Sequence, residues 1–311
     1  MSVEVLQSEL DELEKDVRSV VDGALEPSKN SNIQETVSDA GEEIEERILE
    51  HFKDSNRRIS VYGEEGSELS VDSPELALIV DPIDGSSAGV NGGREFLATA
   101  ITGIRPEEVN GNTIIGEPNF SYVMQHGGRK SSFFAKDGEA SARGEIRWPG
   151  TEVSWNDELP DGIHKPREEI SLDNLNGVPG QVAAYAAKPS KSAARENVLD
   201  QIAKEGNIRY YVWGGVMNDA KVGTGENLAS FEPYPTKPSE AAGAYWAQSM
   251  GAEWRNMDNE EIEEIKIVYS GDGLERTLDG FVAPNPEMAD EIYEAIDAEK
   301  MKKDAERKYH R

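Results

Sequence analysis

Apolar residues return at three- and four-residue steps from Val3 through Leu6, Leu10, Leu13, Val17 and Val20 to Ala24, with charged residues between them. This period predicts an amphipathic helix with one face on a core. A polar loop over 26–36 follows. Val37, Ala40, Ile44, Ile48 and Phe52 then repeat the helical spacing, with Ser38 as the expected N-cap of a second helix. From there the pattern changes. "ISVYG" (59–63) reads as a strand ended by glycine, and "LALIV" (76–80) as a buried strand that stops directly at Asp81. "FLATAITGI" (96–104), "NFSYVM" (119–124) and "SSFFA" (131–135) read as further strands. The glycine-rich "HGGRKSS" (126–132) reads as a hairpin turn, since it lacks the full phosphate-loop pattern.

Residues 146–180 are rich in Pro, Gly, Asp and Asn, the composition of a junction or surface insertion. This divides the chain into an N-terminal α+β half (1–145), the junction (146–180), a C-terminal α/β half (181–295) and a helical, locally basic tail (296–311). Beyond the junction, a strand at 182–187, a helix at 190–204 and a strand at 209–214 alternate in an α/β rhythm. A helix opening near Ser239, strands at 265–269 and 280–283, and a closing helix from Pro286 complete the pattern. Trp213, Trp246 and Trp254 are expected in the core.

Composition narrows the function. The 311 residues hold 61 Asp and Glu against 32 Lys and Arg, a formal charge of −29. Charge of this sign repels nucleic acid and anionic membrane surfaces. The acids are spread as doublets such as Glu42-Glu43, Glu45-Glu46 and Glu263-Glu264, which predicts a solvated, halophile-type acidic surface. Cysteine is absent, which removes disulfides, thiolate metal sites and cysteine nucleophiles. With no signal-peptide pattern at the N-terminus and no long apolar run, the expectation is a soluble cytoplasmic protein. The four histidines, His51, His126, His164 and His310, show no metal-ligand spacing.

The chemistry concentrates in "GEE" (63–65) and "VDPIDGSSAG" (80–89). Asp81 follows a buried strand, where α/β sheets place ligands. Asp84 lies three residues on, across the stiff Pro82, so both carboxylates can share one side of a tight turn. Glu64 and Glu65 follow another strand end. If strands 59–62 and 76–80 are neighbours, Glu64 and Asp81 meet at one edge. Carboxylates so clustered repel, and the usual remedy is a hard divalent cation with all-oxygen ligands, Mg²⁺ first. Backbone N–H groups and hydroxyls of Gly85, Ser86 and Ser87 suit phosphate oxygens. The competing reading is a solvent-exposed turn in an acidic protein. Lys188 and Lys191 read as an ordinary helix-start loop.

"GEE" with "DPIDGS" 17 residues on (Glu64 to Asp81) resembles the inositol monophosphatase family, within the superfamily that includes fructose-1,6-bisphosphatase. The "DGSS" form is nearer the fructose-bisphosphatase branch. The resemblance runs over roughly 36–295, with support from "SSFFAKDGEASARG" (131–144), "GGVMNDAKVGTGENLASF" (214–231), "AAGAYWAQSMGAEW" (241–254) and "GFVAPNP" (280–286). With its acidic surface the chain resembles a divergent, haloarchaeal-type member.

The resemblance implies an αβαβα layered sandwich and Mg²⁺-dependent hydrolysis of a small sugar, inositol or nucleotide phosphate. Glu64, Asp81 and the Ile83 carbonyl would hold one metal tightly. Asp81 and Asp84 would share a second, weak or substrate-dependent one. Glu65 and Ser86 would be catalytic, Ser86 helping to orient the attacking water. Gly85, Ser86 and Ser87 would hold the phosphate. A homodimer is common among such relatives.

Two departures bear on activity. Where the family has "WDxAAG", this chain has "KPSEAAG", with Ser239 in the place of a metal-binding Asp and Glu240 beside it, the two of them weak metal ligands at best unless the backbone shifts Glu240 in. Where the family often has an Asp ahead of the early helix, this chain has Gly41. The alternative to an active phosphatase is therefore a catalytically degenerate relative that binds a ligand or partner.

Overall fold

The computed structural model describes residues 3–24, 33–53, 57–86, 96–128, 130–147, 151–153, 181–184, 209–211, 215–270 and 273–295. Most of the expected junction, the helix expected over 190–204, Lys188, Lys191, Ser87, Trp213, His164, His310 and the tail lie outside these residues. Two helices come first, α1 (Val3–Ala24) and α2 (Ile33–Lys53). Strands β1 (Ile59–Gly63), β2 (Glu68–Leu69), β3 (Leu76–Asp84), β4 (Ala98–Asn110), β5 (Thr113–Gln125), β6 (Ser132–Lys136), β7 (Glu139–Arg147) and β8 (Thr151–Val153) follow. They form one sheet in the order β2-β1-β3-β4-β5-β6-β7-β8. The second part contributes β9 (Gln181–Ala184), β10 (Arg209–Tyr211), α3 (Val216–Gly223), β11 (Asn227–Thr236), a 3₁₀ turn at Pro238–Glu240, α4 (Ala241–Ser249), β12 (Glu253–Arg255), β13 (Ile265–Ser270), β14 (Gly273–Leu274), β15 (Leu278–Ala283) and α5 (Pro286–Ala295). A second sheet runs β10-β9-β11-β15-β12, while β13 returns to pair with β5 of the first.

The layers follow from side-chain alternation along β3. Leu78 and Val80 face one way, into a cluster with Leu10, Leu13 and Val17 of α1 and Ile44, Ile48 and Phe52 of α2. Ala77 and Ile79 face the other way, into a cluster with Val216, Met217 and Ala220 of α3 and Ala241, Ala244 and Trp246 of α4. The second sheet covers the far side of α3 and α4, and α5 packs on β12 and β15. The architecture is the expected αβαβα sandwich.

Several local expectations change. Ser38 is not a cap, because α2 already begins at Ile33. The helix gains another turn, and Ser38 becomes an exposed interior position. The strand read as ending at Val80 runs on to Asp84, with an irregular register against β4 between Asp81 and Asp84. Pro82 lacks an N–H, so a regular ladder cannot pass through it. Glu45, read as half of a solvated doublet, is buried at 1% exposure. It accepts the N–H groups of Glu65 (2.7 Å) and Ser67 (3.1 Å) and so pins the turn after β1. A side chain at Gly63 would strike this carboxylate, since a Cβ there would lie 2.3 Å from it.

Glu14 is a second buried acid. Burial pushes its pKa up, yet Arg18, Tyr122 and Arg143 hold it below the ordinary value. It accepts hydrogen bonds from Tyr122, Arg143, Ser132 (2.9 Å) and Arg18 (2.5 Å), which ties α1 to β5, β6 and β7. Among the described residues no helix is long and apolar enough to cross a membrane.

Candidate metal and phosphate site

Strands β1 and β3 pair in parallel, with Gly63 opposite Val80. The N–H of Glu64 donates to the Val80 carbonyl at 2.9 Å, which carries the ladder one step further and sets Glu64 beside Asp81. Asp81 stands two residues after Ile79 on the face turned toward α3 and α4, and β3 meets the 238–240 turn there. Asp81, Asp84 and Glu64 therefore come together at one sheet edge.

The electrostatics match this crowding. Asp81 is raised well above the ordinary carboxylate range, first by burial, then by the charges of Glu64 and Asp84 and a hydrogen bond shared with Glu64. Asp84 is raised well above it too, by burial and by Glu240 and Glu64, against the backbone N–H groups of Val216 and Gly85. Its Oδ2 accepts the Val216 N–H at 2.8 Å, so the carboxylate sits on the first turn of α3. Gly215 makes that approach possible. Its φ is +119°, and a Cβ there would lie 2.1 Å from Asp84 Oδ2. Burial and Glu64 raise Glu65 above its ordinary value, with Lys237 pulling the other way.

Gly85 has φ +72°, and a Cβ there would lie 2.2 Å from the Phe96 carbonyl. Only glycine lets the chain turn so close behind Asp84. Ser86 follows, half-buried.

The segment before α4 closes the other side. Ser239, fully buried, donates its hydroxyl proton to Glu64 Oε2 at 3.0 Å. Lys237 places its Nζ 3.1 Å from Glu64 Oε1 and 3.2 Å from the Glu64 carbonyl. The sequence pattern marked Ser239 but not Lys237. Glu240 contributes charge toward both Asp81 and Asp84. Gly41 of α2 also faces this region: a Cβ there would meet Pro82 Cγ at 3.6 Å and Glu65 Cγ at 3.8 Å. A carboxylate at that position would point toward Glu65, and here none does.

A support chain lies behind the turn. Thr99 Oγ1 donates to the Pro82 carbonyl at 2.6 Å and lies 2.7 Å from His126 Nε2. With the Thr99 proton committed to Pro82, His126 must be the donor, so its proton sits on Nε2. Nδ1 is then left buried with no partner among the described residues. His126 thus braces the backbone between the two aspartates, a role its position in "HGGRKSS" did not signal. Within α3, Asp219 is buried and pushed up to about 7 by that burial, against a hydrogen bond with Ser230.

The donors suit a hard cation in type: carboxylates on several elements, two of them buried and mutually repelling. Among the described residues no three His, Asp or Glu side chains converge closely enough to hold one ion as they stand. A cation held by these carboxylates would need a side-chain adjustment, and Glu64 is already engaged by Lys237 and Ser239.

No protein-family model and no curated sequence matches the chain. Solved structures do. Inositol monophosphatase II from Staphylococcus aureus is similar with a TM-score of 0.67 at 17% identity, over 98% of each chain. SaIMPase-II bound to inositol monophosphate is similar with a TM-score of 0.62 at 18% identity, over 99% of this chain and 100% of that one. A calcium-bound IMPase family protein from Staphylococcus aureus gives 0.65 at 14%, over 96% and 97%. At these identities the likeness is one of fold, and the fold of this chain is that of the inositol monophosphatases.

Proposed function

We propose that the chain is a Mg²⁺-dependent phosphomonoesterase acting on a small sugar, inositol or nucleotide phosphate. The observation that carries this reading is the meeting of Glu64, Asp81 and Asp84 at the ends of parallel β1 and β3, with both aspartates held well above the ordinary carboxylate range. Crowded buried carboxylates of this kind are costly to ionise, and a fold keeps them where a cation or a proton has work to do. Glu64, Asp81 and the Ile83 carbonyl would hold one Mg²⁺, and Asp81 with Asp84 a second, weaker one. When bound, the metal supplies charge for the phosphate oxygens and lowers the pKa of the attacking water.

The chain's own residues supply placement. The Ser86 N–H presents a donor to the phosphate and the Ser86 hydroxyl orients water, while the Gly85 N–H is already turned to the Asp84 carboxylate. Glu65 stands at the site edge as a proton acceptor. His126 and Thr99 fix the Pro82 carbonyl, and with it the spacing of the two aspartates. The inositol monophosphate held by one structural neighbour supports the substrate class.

The alternative, a degenerate relative that binds a ligand without turnover, draws on two observations. Both carboxylate oxygens of Glu64 are already engaged, and Gly41 offers no side chain toward Glu65. A phosphate-release screen over sugar, inositol and nucleotide monophosphates, with Mg²⁺ in high KCl, separates the two. Release that disappears in Asp81→Asn is the expected result. Binding without release from any substrate overturns the hydrolase reading.

A further inference from the structure

Lys237 lies where the sequence pattern offered no reason to look. It precedes Pro238, which restricts it to extended backbone, and its φ of −73° and ψ of 145° fit that restriction. The 3₁₀ turn then locks the segment, with the Glu240 N–H donating to the Lys237 carbonyl at 3.1 Å. From this stiff base the side chain reaches across to another element. Its Nζ contacts both the side chain and the carbonyl of Glu64, at 3.1 and 3.2 Å. Two residues on, Ser239 holds the second Glu64 oxygen. One short segment thus occupies both oxygens of the carboxylate that would be a first ligand of the metal.

The charge balance explains why this arrangement is stable. Glu64, Asp81, Asp84 and Glu240 repel one another, with Glu65 at their margin. Lys237 is only 21% exposed at its side chain, and a lysine this covered is ordinarily paired. An ammonium differs from Mg²⁺ in what it demands. It carries one charge, donates along three flexible directions and tolerates distances near 3 Å. Mg²⁺ requires near-octahedral oxygens at about 2.1 Å. The ammonium can therefore neutralise Glu64 without drawing the aspartates into a tight shell.

The geometry points to Lys237 as a built-in counter-ion of the carboxylate site, which a divalent cation must displace from Glu64 in order to bind. This rests on the reading of the site as a metal centre. Two consequences follow. The protein keeps its fold without divalent metal, and its affinity for such metal is set by competition with its own lysine. An effect on the scale of a metal-supporting partner, about 10–100-fold, is expected when the competitor is removed.

The test uses the full chain with Mn²⁺ as probe, free Mn²⁺ being counted by electron paramagnetic resonance in high KCl. Lys237→Met and Lys237→Gln remove the charge, and Lys237→Arg keeps it. The two neutral variants should bind Mn²⁺ about tenfold tighter or more than the parent, while the arginine variant should not. In EDTA the neutral variants should melt below the parent, and Mn²⁺ should restore them. Two neutral replacements keep the comparison open if one of them does not fold.

Unchanged Mn²⁺ affinity in a folded neutral variant overturns the inference. So does equal tightening in the arginine variant, because loss of packing rather than charge would then be responsible. An undiminished melting temperature in EDTA also overturns it. Phosphate release is read separately. A parent that hydrolyses substrate while the neutral variants show no tightening sinks the inference and spares the phosphatase. A parent that hydrolyses nothing, with neutral variants that bind Mn²⁺ more tightly, does the reverse.

Discussion

His126→Gln tests whether a neutral, buried imidazole braces the turn that carries Asp81 and Asp84. The imidazole is 3% exposed, and its Nε2 lies 2.7 Å from Thr99 Oγ1, which in turn holds the Pro82 carbonyl. A second proton would go onto Nδ1, which is buried and has no partner among the described residues. Burial first, and the Arg18 charge next, lower its pKa to about 3, with Glu14 opposing them. The unfolded chain has an ordinary histidine near 6.5, so below that pH the unfolded state takes up a proton that the folded state refuses. The stability this histidine contributes is complete above about pH 6.5 and drains away as pH falls toward about 3. At 1.36 kcal/mol per pH unit, the loss is about 2 kcal/mol by about pH 5, and it approaches about 5 kcal/mol near pH 3.

Acid also protonates carboxylates, so the parent's profile alone is not informative, whereas the difference between parent and His126→Gln isolates the histidine. Urea unfolding in high KCl at several pH values gives that difference. The parent's advantage over the variant should shrink by about 2 kcal/mol between about pH 7.5 and about pH 5. Parallel profiles for the two proteins would refute the buried neutral histidine, and with it the proton assignment in the brace.

Three further outcomes are expected. Gly215→Ala should cost about 2 kcal/mol or more and most of the activity, because its Cβ would lie 2.1 Å from Asp84 Oδ2 at a φ of +119°; urea midpoints and phosphate release check both, and a wild-type-like variant would contradict the close approach. Asp81→Asn should abolish phosphate release yet raise the melting temperature in EDTA, whereas Glu65→Gln should have a smaller effect on activity. A carboxyl whose folded pKa is raised loses stability as pH rises through that pKa, so the neutral amide removes a penalty that is present at neutral pH. Melting temperatures should climb steeply between about 0.1 and about 3 M KCl, as screening relieves the repulsion of a −29 chain; a flat profile would argue against the halophile-type surface.

What could be read along the chain is what depends on neighbours in sequence. The apolar stripe of α1 and the continuous run of β3 are visible because helix and strand periods are local. The carboxylate edge was visible for the same reason: Glu64 follows one strand and Asp81 the apolar run of another, so the two acids meet if those strands are neighbours, as they are. Ser38 looked like a cap because its residue type favours caps, but the turn preceding it also folds as helix.

The contacts that decide how the site behaves join residues far apart in sequence. Lys237 reaches Glu64 across 173 positions, and Val216 reaches Asp84 across 132. Glu45 read as a surface acid and nothing in the sequence set Glu14 apart, because burial belongs to the packed layers rather than to the residue type. His126 acquires its role only through Thr99 and Pro82. The sequence by itself determined the periods, the breaks and the carboxylate supply. Only tertiary structure decided which carboxylates lie together and which cation sits on Glu64, because charge pairing and desolvation depend on distance in space.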